Sequence, residues 1–420
     1  MQSPPVSTLL DALQRRVFRL THESHSRGTF AAFKETLLAY TFDLGGLIAG
    51  FVVASQLGIF DRYPWAIAVY PAILSAKGVI HGLLSGRLGT ALHLGTVHPR
   101  FFNNTKSFYK LIHAAIVMTL VVSVVMSLIS LVFGSVFWGV TLADSFDIVT
   151  VVVATMALGL TLSFVTIKVA FVTFKRGLDP DIVVYPIMST IADVFITLCY
   201  ILILNVFLLF SLSGKSIIVI IILLHLALVL YIIPKNYKEP DFRKNLRESL
   251  LTMLLVSVIV NITGTVLKNI STVVKTRGRE IYTVYPALID MIGDVGSVVG
   301  STATTKLALG LLRPSLSSIR NHAKTIISAW AASIVMFFVL AILSPVVNGT
   351  LSFSTFTTLI SILLITNAIA VPAIVLLSYG ISILTFQKGL DPDNFVIPIE
   401  SSFADSLMSI ALLAALVLVG

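Results

Sequence analysis

The stretch GLDPDIVVYPIMSTIAD at residues 177–193 recurs, slightly changed, as GLDPDNFVIPIESSFAD at residues 389–405. Eleven of the seventeen positions are identical, and each copy ends in an aspartate, Asp193 or Asp405, inside an apolar run. An isolated carboxylate is costly in lipid, so a repeated one indicates a polar path at the junction of two similar halves. The repeat predicts a membrane transport protein, and the acidic side chains predict a cation as its cargo.

The composition is that of a membrane protein. Mean hydropathy is +0.98, 56% of the residues are hydrophobic and 12% are charged, values outside the range of soluble proteins. Apolar runs long enough to span a bilayer recur along the chain, and they predict an all-α polytopic membrane protein with about eleven transmembrane helices. The predicted spans are residues 36–57, 66–92, 108–134, 148–174, 183–210, 216–234, 249–267, 284–310, 325–346, 357–385 and 395–418.

A second motif repeats at nearly the same distance as the first. YPAIL at residues 70–74 matches YPALI at residues 285–289, an offset of 215 against 212 for the acidic motif. Two matched motifs predict a duplication into two repeats of five spans each. Because five is odd, the additional span at 216–234 keeps the two repeats parallel in the membrane. The predicted units are a cytoplasmic N-terminal segment (1–34), a first repeat (35–212), a linking helix with a cytoplasmic linker (213–247) and a second repeat (248–420).

The net charge of +9 follows the membrane topology and does not indicate nucleic-acid binding. With the N-terminus in the cytoplasm, most of the 29 Lys and Arg residues fall on the inner side, as the positive-inside rule requires. We therefore expect a multi-pass protein of the cell membrane, with a cytoplasmic N-terminus and an outer C-terminus. Its partners are then the lipid bilayer and its cargo ions, and neither nucleic acid nor nucleotide is expected.

Asp193 and Asp405 are the leading candidates for cation ligands. Each lies about twelve residues into a helix that starts near an Asp-Pro-Asp turn, which at ~1.5 Å per residue places it roughly 18 Å along the helix and near mid-membrane. Related by a pseudo-twofold axis, the two carboxylates would face each other across a pore. Hard divalent cations such as Mg²⁺ prefer carboxylate and water oxygens. The alternative is a protonated aspartate that hydrogen-bonds a neighbouring helix.

Asp290 and Asp294 form a second acidic pair. They are four residues apart and therefore lie on one face of the predicted span 284–310. We interpret them as auxiliary cation ligands, and the alternative is that they pair with a buried lysine, Lys77 or Lys306. Lys77 could also act as a tethered cation in the half of the chain that lacks this pair.

Further polar residues in the spans are candidates for lining the path. The hydroxyl groups between each repeated proline and aspartate either line a pore or pack against neighbouring helices. Two isolated acids within the spans, Asp43 and Glu400, are secondary candidates. The Asp-Pro-Asp turns at 179–181 and 391–393 are typical of helix N-caps, with a cation-collecting mouth as the alternative. The lining candidates are Ser189, Thr190, Ser401, Ser402, Asp43, Glu400 and Lys77.

Several classes of function are not expected. The single cysteine excludes a disulfide framework and a cysteine-based metal site, and no histidine has partners at zinc-binding spacing. The chain contains no phosphate-binding glycine motif, so neither an ATP-driven pump nor a nucleotide enzyme is indicated. No nucleophile and base repeat with the fold, so we do not expect an enzyme, and no organic cofactor is implied.

Three stretches resemble one family of transporters. PAILSAKGVIHGLLSGRLGTALHLG (71–95) is similar to the second-helix motif of the MgtE and solute-carrier-41 magnesium transporters. Residues 286–296 resemble the MgtE signature of proline, two glycines, asparagine and glycine, with Asp294 in place of the asparagine. The Gly-Leu-Asp-Pro segments resemble the start of that family's fifth helix. The resemblance implies an ion path between two five-helix units, with the family's pore aspartate at Asp193 and Asp405.

Together these features predict transmembrane transport of divalent cations, with Mg²⁺ as the transported ion, along a channel-like path at the interface of the repeats. Two alternatives stay open: an exchanger coupled to Na⁺ or H⁺, and a non-transporting membrane sensor or scaffold. Because both repeats lie in one chain, a monomer suffices to form the path.

Overall fold

The computed structural model describes residues 29–93, 95–176, 180–209, 212–274, 278–308, 310–388 and 392–419, and within them all regular structure is helical. The first repeat contains α1 (Thr29–Tyr40), a 3₁₀ turn (Thr41–Gly45), α2 (Gly46–Ala54), α3 (Leu57–Arg62), α4 (Pro64–His93), α5 (Lys106–Phe133), a π turn (Gly134–Trp138), α6 (Leu142–Gly159), α7 (Leu162–Lys175) and α8 (Pro180–Leu209). The linking helix is α9 (Leu212–Asn236). The second repeat contains α10 (Pro240–Val274), α11 (Glu280–Ala308), a 3₁₀ turn (Leu316–His322), α12 (Ala323–Asn348), α13 (Phe353–Gln387) and α14 (Pro392–Val419).

The prediction of an all-α polytopic membrane protein is confirmed. In the part of the chain that the structure describes, nine helical segments are long and apolar enough to cross a membrane. The two remaining predicted spans, 66–92 and 284–310, correspond to α4 and α11, which are 30 and 29 residues long. Both exceed the ~20 residues that a span requires. They are less apolar because they carry the buried charged residues, and neighbouring helices cover them.

Local sequence explains where several helices begin. The Thr105 hydroxyl accepts a hydrogen bond from the backbone N–H of Phe108 and caps α5. In the two copies of the acidic motif, α8 and α14 begin with Pro180 and Pro392, and proline suits the first turn because no hydrogen bond is lost there. The predicted caps Asp179 and Asp391 lie outside the described residues.

The linking segment is largely helical. α9 crosses as a mostly exposed, apolar helix, as expected of a helix that faces lipid. It ends at Asn236, and α10 already begins at Pro240, inside the predicted linker 213–247. At this junction Lys110 of α5 forms a 2.9 Å ion pair with Glu239. The boundaries of the repeats themselves stay a prediction.

The first helix of each repeat packs on the opposite repeat. α2 packs on α11, and α1 on α12, whereas α10 packs on α4 and α5. Glycines allow both crossings: a Cβ atom at Gly50 would collide with the carbonyl oxygen of Thr283, and one at Gly264 with that of Ala68. Ala68 and Thr283 are 215 residues apart, the offset of the YPAIL motif. The two repeats are therefore interlocked by pseudo-symmetric helix crossings.

The core inside each repeat is tied by an equivalent hydrogen bond. The hydroxyl of Tyr70 lies 2.8 Å from Oγ1 of Thr197, and the hydroxyl of Tyr285 lies 2.7 Å from Oγ of Ser409. All four residues are buried. Each partner hydroxyl is one helical turn after a repeated aspartate, so these bonds help to fix α8 and α14 beside α4 and α11.

Candidate cation-binding site

A polar cleft of about 60 Å³ lies between α8, α11 and α14. Among the described residues, four carboxyl groups and three serine hydroxyls border it. Oxygens of this kind are the ligands that hard divalent cations prefer. The lining residues are Ser189, Ile289, Asp290, Gly293, Asp294, Ser297, Glu400, Ser401 and Asp405.

The polar residues reach the cleft because they recur at helical spacing. Asp290, Asp294 and Ser297 are four and three residues apart, which puts their side chains on one side of α11. On α14, Ser401 and Asp405 are also four residues apart. Asp290 and Asp294 are half-buried, so both carboxyl groups are partly open to the cleft.

Asp193 and Asp405 each meet a residue of the opposite repeat. The Ser75 hydroxyl on α4 donates a 2.7 Å hydrogen bond to Oδ2 of Asp405 on α14. Asp290 occupies the position of Ser75 in the second repeat, at the offset of 215, and its carboxyl group lies beside that of Asp193. The positions are therefore pseudo-symmetric, but one side pairs a hydroxyl with a carboxyl group and the other pairs two carboxyl groups.

A buried ion pair distinguishes Asp193 from Asp405. Nζ of Lys77 contacts Oδ1 of Asp193, and both side chains are almost fully buried, 4% and 6% exposed. The same ammonium group donates to the carbonyl oxygen of Ser189 at 3.5 Å. Asp193 is thus neutralised by a lysine of its own repeat and does not line the cleft.

Glu400 fills the space beside a glycine of α11. Its side chain is 3% exposed, and Oε1 has no hydrogen-bond partner among the described residues. A Cβ atom at Gly296 would collide with this oxygen, and it would also lie 2.8 Å from Oγ of Ser378 on α13. Glycine therefore allows Glu400 to approach the backbone of α11. Oδ2 of Asp290 is a second buried oxygen without a hydrogen-bond partner in the described ranges.

Asp43 lies in the 3₁₀ turn that interrupts the first predicted span. Its carboxyl group is buried near Asp294 and Asp193. The turn is held by Thr190 of α8, whose hydroxyl donates a 3.2 Å hydrogen bond to the carbonyl oxygen of Phe42. Thr190 therefore supports the turn, and its hydroxyl does not line the cleft.

The other candidates lie away from the cleft. Ser402 is buried on α14, one position beyond the lining residue Ser401. Lys306 contacts Nδ1 of His322 at 3.1 Å and the Thr325 hydroxyl at 3.3 Å. The alternative pairing of Asp290 and Asp294 with a lysine is therefore not seen for Lys306, and the ion pair of Lys77 is with Asp193.

The cleft is strongly asymmetric in charge. Because α1 and α2 cross to the second repeat, the acid in their connecting turn joins the acids of α11 and α14. The first-repeat side, formed by α4 and α8, holds the neutralised pair Lys77 and Asp193. The acidic side holds Asp43, Asp290, Asp294, Glu400 and Asp405.

Within the described residues, no three His, Cys, Asp or Glu side chains come close enough together to form a metal centre.

A family comparison matches two segments of the chain. The MgtE family, described as a divalent cation transporter, matches residues 70–203 and 285–415, which together make up well over half of the chain. The chain belongs to the MgtE family. Each matched segment covers the helices from the YPAIL motif to the repeated aspartate of one repeat, so the chain contains two fused MgtE-like units. Membership assigns this MgtE protein to divalent cation transport in general, and no enzymatic activity is implied.

Other comparisons add little to the family assignment. No protein of curated function matches the chain. Among solved structures, one described as the crystal structure of MATE in complex with Br-NRF is similar over 94% of this chain and 97% of that chain, with 13% sequence identity and a TM-score of 0.35. At this TM-score the likeness does not establish a shared fold.

Two polar residues at the cleft were not predicted as candidates. Ser75 is the donor to Asp405, and its signal was its alignment with Asp290 at the offset of 215. Ser297 lines the cleft one helical turn after Asp294, and helical spacing from the acidic pair would have pointed to it. The roles of the predicted site residues as cation ligands stay predictions.

Proposed function

We propose that this MgtE protein carries Mg²⁺ or a related divalent cation across the cell membrane through the cleft between α8, α11 and α14. The observation that supports this most directly is the gathering of four carboxyl groups around one polar cleft near the middle of long helices. Asp290, Asp294, Glu400 and Asp405 border the path, and the ion contacts one or two of these carboxylates directly and the others through water. Carboxyl groups packed this closely repel one another when ionised, so bound cations compensate their charge.

The cleft suits an ion that keeps part of its water shell. Mg²⁺ loses water reluctantly and takes one or two carboxylates with several waters. At ~10–15 Å³ of cavity volume per water, the cleft volume of about 60 Å³ holds roughly four to six waters. Ser189, Ser297 and Ser401 supply hydroxyls that hydrogen-bond such waters.

A channel-like mechanism follows from the driving force available to a divalent ion. Two charges that move through 100 mV gain roughly 4.6 kcal/mol, at ~2.3 kcal/mol per charge. Uptake along an inside-negative potential therefore needs no counter-ion. We place the N-terminus in the cytoplasm and the C-terminus outside, from the charge of the loops. Because both repeats contribute to the cleft, one chain forms the complete path.

The test is ion uptake into liposomes that hold the purified full-length protein. Mg²⁺ is supplied outside, an inside-negative potential is imposed, and there is no Na⁺ or pH gradient. The variants are Asp290→Asn and Asp405→Asn, and the matched control is Asp147→Asn, a half-buried aspartate on α6 that does not line the cleft.

We expect wild type and Asp147→Asn to take up Mg²⁺ at equal rates. Each cleft variant should be slower by about tenfold or more, a loss of roughly 1.4 kcal/mol or more. Equal uptake by all four proteins would exclude the cleft as the ion path. Uptake that requires a Na⁺ or pH gradient would identify a coupled exchanger, and no uptake under any gradient would favour a sensor or scaffold.

A further inference from the structure

Lys77 occupies a position that has no charged equivalent in the second repeat. At the offset of 215, the residue that corresponds to Lys77 is Ile292 on α11, which is fully buried. Asp193 therefore has an ammonium group from its own repeat, whereas Asp405 has a hydroxyl from the opposite repeat. The repeated aspartate is present in both halves, but among the described residues only Asp193 forms a direct ion pair with a lysine.

The ammonium group lies where a free cation would otherwise be attracted. Asp290 of α11 and Asp193 of α8 bring two carboxyl groups together where the acidic side meets the first-repeat side, and Nζ of Lys77 contacts Asp193 and the carbonyl oxygen of Ser189. Carboxylate and carbonyl oxygens around one positive charge are also the usual surroundings of a bound metal ion. The side chain is a stem anchored in α4, so this charge cannot leave with the cargo.

Stability alone gives little reason for such a pair. Replacing a buried ion pair by apolar residues of similar size is often neutral or stabilising, because desolvation offsets the attraction. The second repeat shows the apolar solution, since Ile292 packs in the core at the equivalent position. The charge of Lys77, which is present in the first repeat only, is better explained by its effect on the neighbouring cleft.

We propose that Lys77 is a built-in cation that permanently fills the ion position of the first repeat and so limits the cleft to one divalent ion, held on the acidic side. Asp193 then serves as the partner of Lys77 and not as an ion ligand. This inference rests on the proposed function, and it assigns different roles to two aspartates that the repeat makes equivalent. A single ion held between Asp294 and Asp405 then faces Asp290 and the neutralised pair of Lys77 and Asp193 on the opposite wall.

The test counts ions bound to the purified full-length protein, with Mn²⁺ as the spectroscopic probe and Mg²⁺ as the competitor. The proteins are wild type, Lys77→Met, the double variant Lys77→Met/Asp193→Asn, and Lys306→Met. Lys306 is the control because it is a half-buried lysine of α11 that contacts His322 and Thr325 in place of an acid.

We expect one competable Mn²⁺ ion per chain in wild type and in Lys306→Met. Lys77→Met should bind two ions, because removal of the ammonium group leaves Asp193 and Asp290 uncompensated. The double variant should return to one ion with an affinity within about threefold of wild type, since both charges of the pair are then absent. If Lys77→Met fails to fold, the double variant still tests whether Asp193 is an ion ligand. It removes both charges of the ion pair, so neither charge is left unpaired.

Two results would overturn the inference while leaving the proposed function intact. One is a single ion in Lys77→Met with the affinity of wild type. The other is a tenfold or larger loss of affinity in the double variant, which would make Asp193 itself a ligand. If the wild-type protein binds no divalent ion, the result contradicts the proposed function, and it also contradicts the role of Lys77, which depends on that function.

Discussion

Ser75 of the first repeat donates a 2.7 Å hydrogen bond to Asp405 of the second. At the pseudo-symmetric position, the carboxyl group of Asp290 in the second repeat lies beside that of Asp193 in the first. The relative positions of the paired residues are thus the same in both halves, but one pair contains a hydroxyl where the other contains a second carboxyl group. Because hydrogen bonds to charged groups contribute more than neutral ones, the Ser75 hydroxyl is expected to orient the carboxyl group that faces the cleft.

Removal of the Ser75 hydroxyl should weaken ion binding. In Ser75→Ala, Asp405 loses its donor, and a hydrogen bond to a charged group is worth about 1.5–3 kcal/mol. We expect the Mg²⁺ affinity, measured by calorimetry on the purified protein, to fall roughly tenfold. Ser75→Thr keeps a hydroxyl and is the matched control. An alanine variant that binds Mg²⁺ as tightly as wild type would show that this bond does not position Asp405.

Alanine at the two crossing glycines should destabilise the fold. In Gly50→Ala and Gly264→Ala the new methyl group collides with a backbone carbonyl oxygen, of Thr283 and Ala68 respectively, and overpacking costs about 1–3 kcal/mol. We expect both variants to melt at lower temperature in a thermal unfolding assay in detergent.

The control for these variants is Gly380→Ala on α13. No atom lies within 4 Å of a Cβ atom at this position, and alanine favours a helix over glycine by about 1 kcal/mol. Its melting temperature should equal or exceed that of wild type. If all three variants melt alike, the interlocked helix crossings do not contribute to stability as the structure indicates.

Alanine at Gly296 should displace Glu400. The new methyl group takes the place of the Glu400 Oε1 atom, and it would also lie 2.7 Å from Cγ1 of the buried Ile374. We therefore expect weaker Mg²⁺ binding together with a lower melting temperature, because overpacking of the core costs about 1–3 kcal/mol. At Gly293, which lines the same cleft, the nearest atom to a Cβ atom is 3.9 Å away.

Gly293→Ala is accordingly the control within the cleft. It adds the same methyl group to the same helix without moving Glu400. Equal binding losses in Gly293→Ala and Gly296→Ala would mean that the cleft responds to any added volume and that Glu400 has no separate role.

The two core tyrosines should contribute equally to stability. Tyr70→Phe and Tyr285→Phe each remove one buried hydrogen bond, to Thr197 and Ser409, and a typical bond of this kind is worth about 1 kcal/mol. Equivalent positions in the duplicated fold predict similar shifts of melting temperature. A large difference between the two variants would show that the halves are not equivalent in the core.

Sequence reasoning identified most residues of the cleft because helical spacing is a local property. Asp290 and Asp294 share a face at four-residue spacing, and Ser189 and Ser401 follow from the repeated motif. The same reasoning treated Asp193 and Asp405 as equivalent, since their local sequences match. Their partners, Lys77 and Ser75, come from a distant helix, and no local pattern selects between them.

The sequence alone determined the duplication, the helical class and the presence of intramembrane acids. Lipid allows few backbone structures, and an unpaired polar group in lipid is energetically costly. Only the tertiary structure decided which acids meet. The crossing of α1 and α2 to the opposite repeat brings Asp43 toward Asp294, and it depends on close backbone contacts such as that of Gly50 with Thr283. Such contacts are set by packing between segments far apart in the chain, where one glycine decides how closely two helices approach.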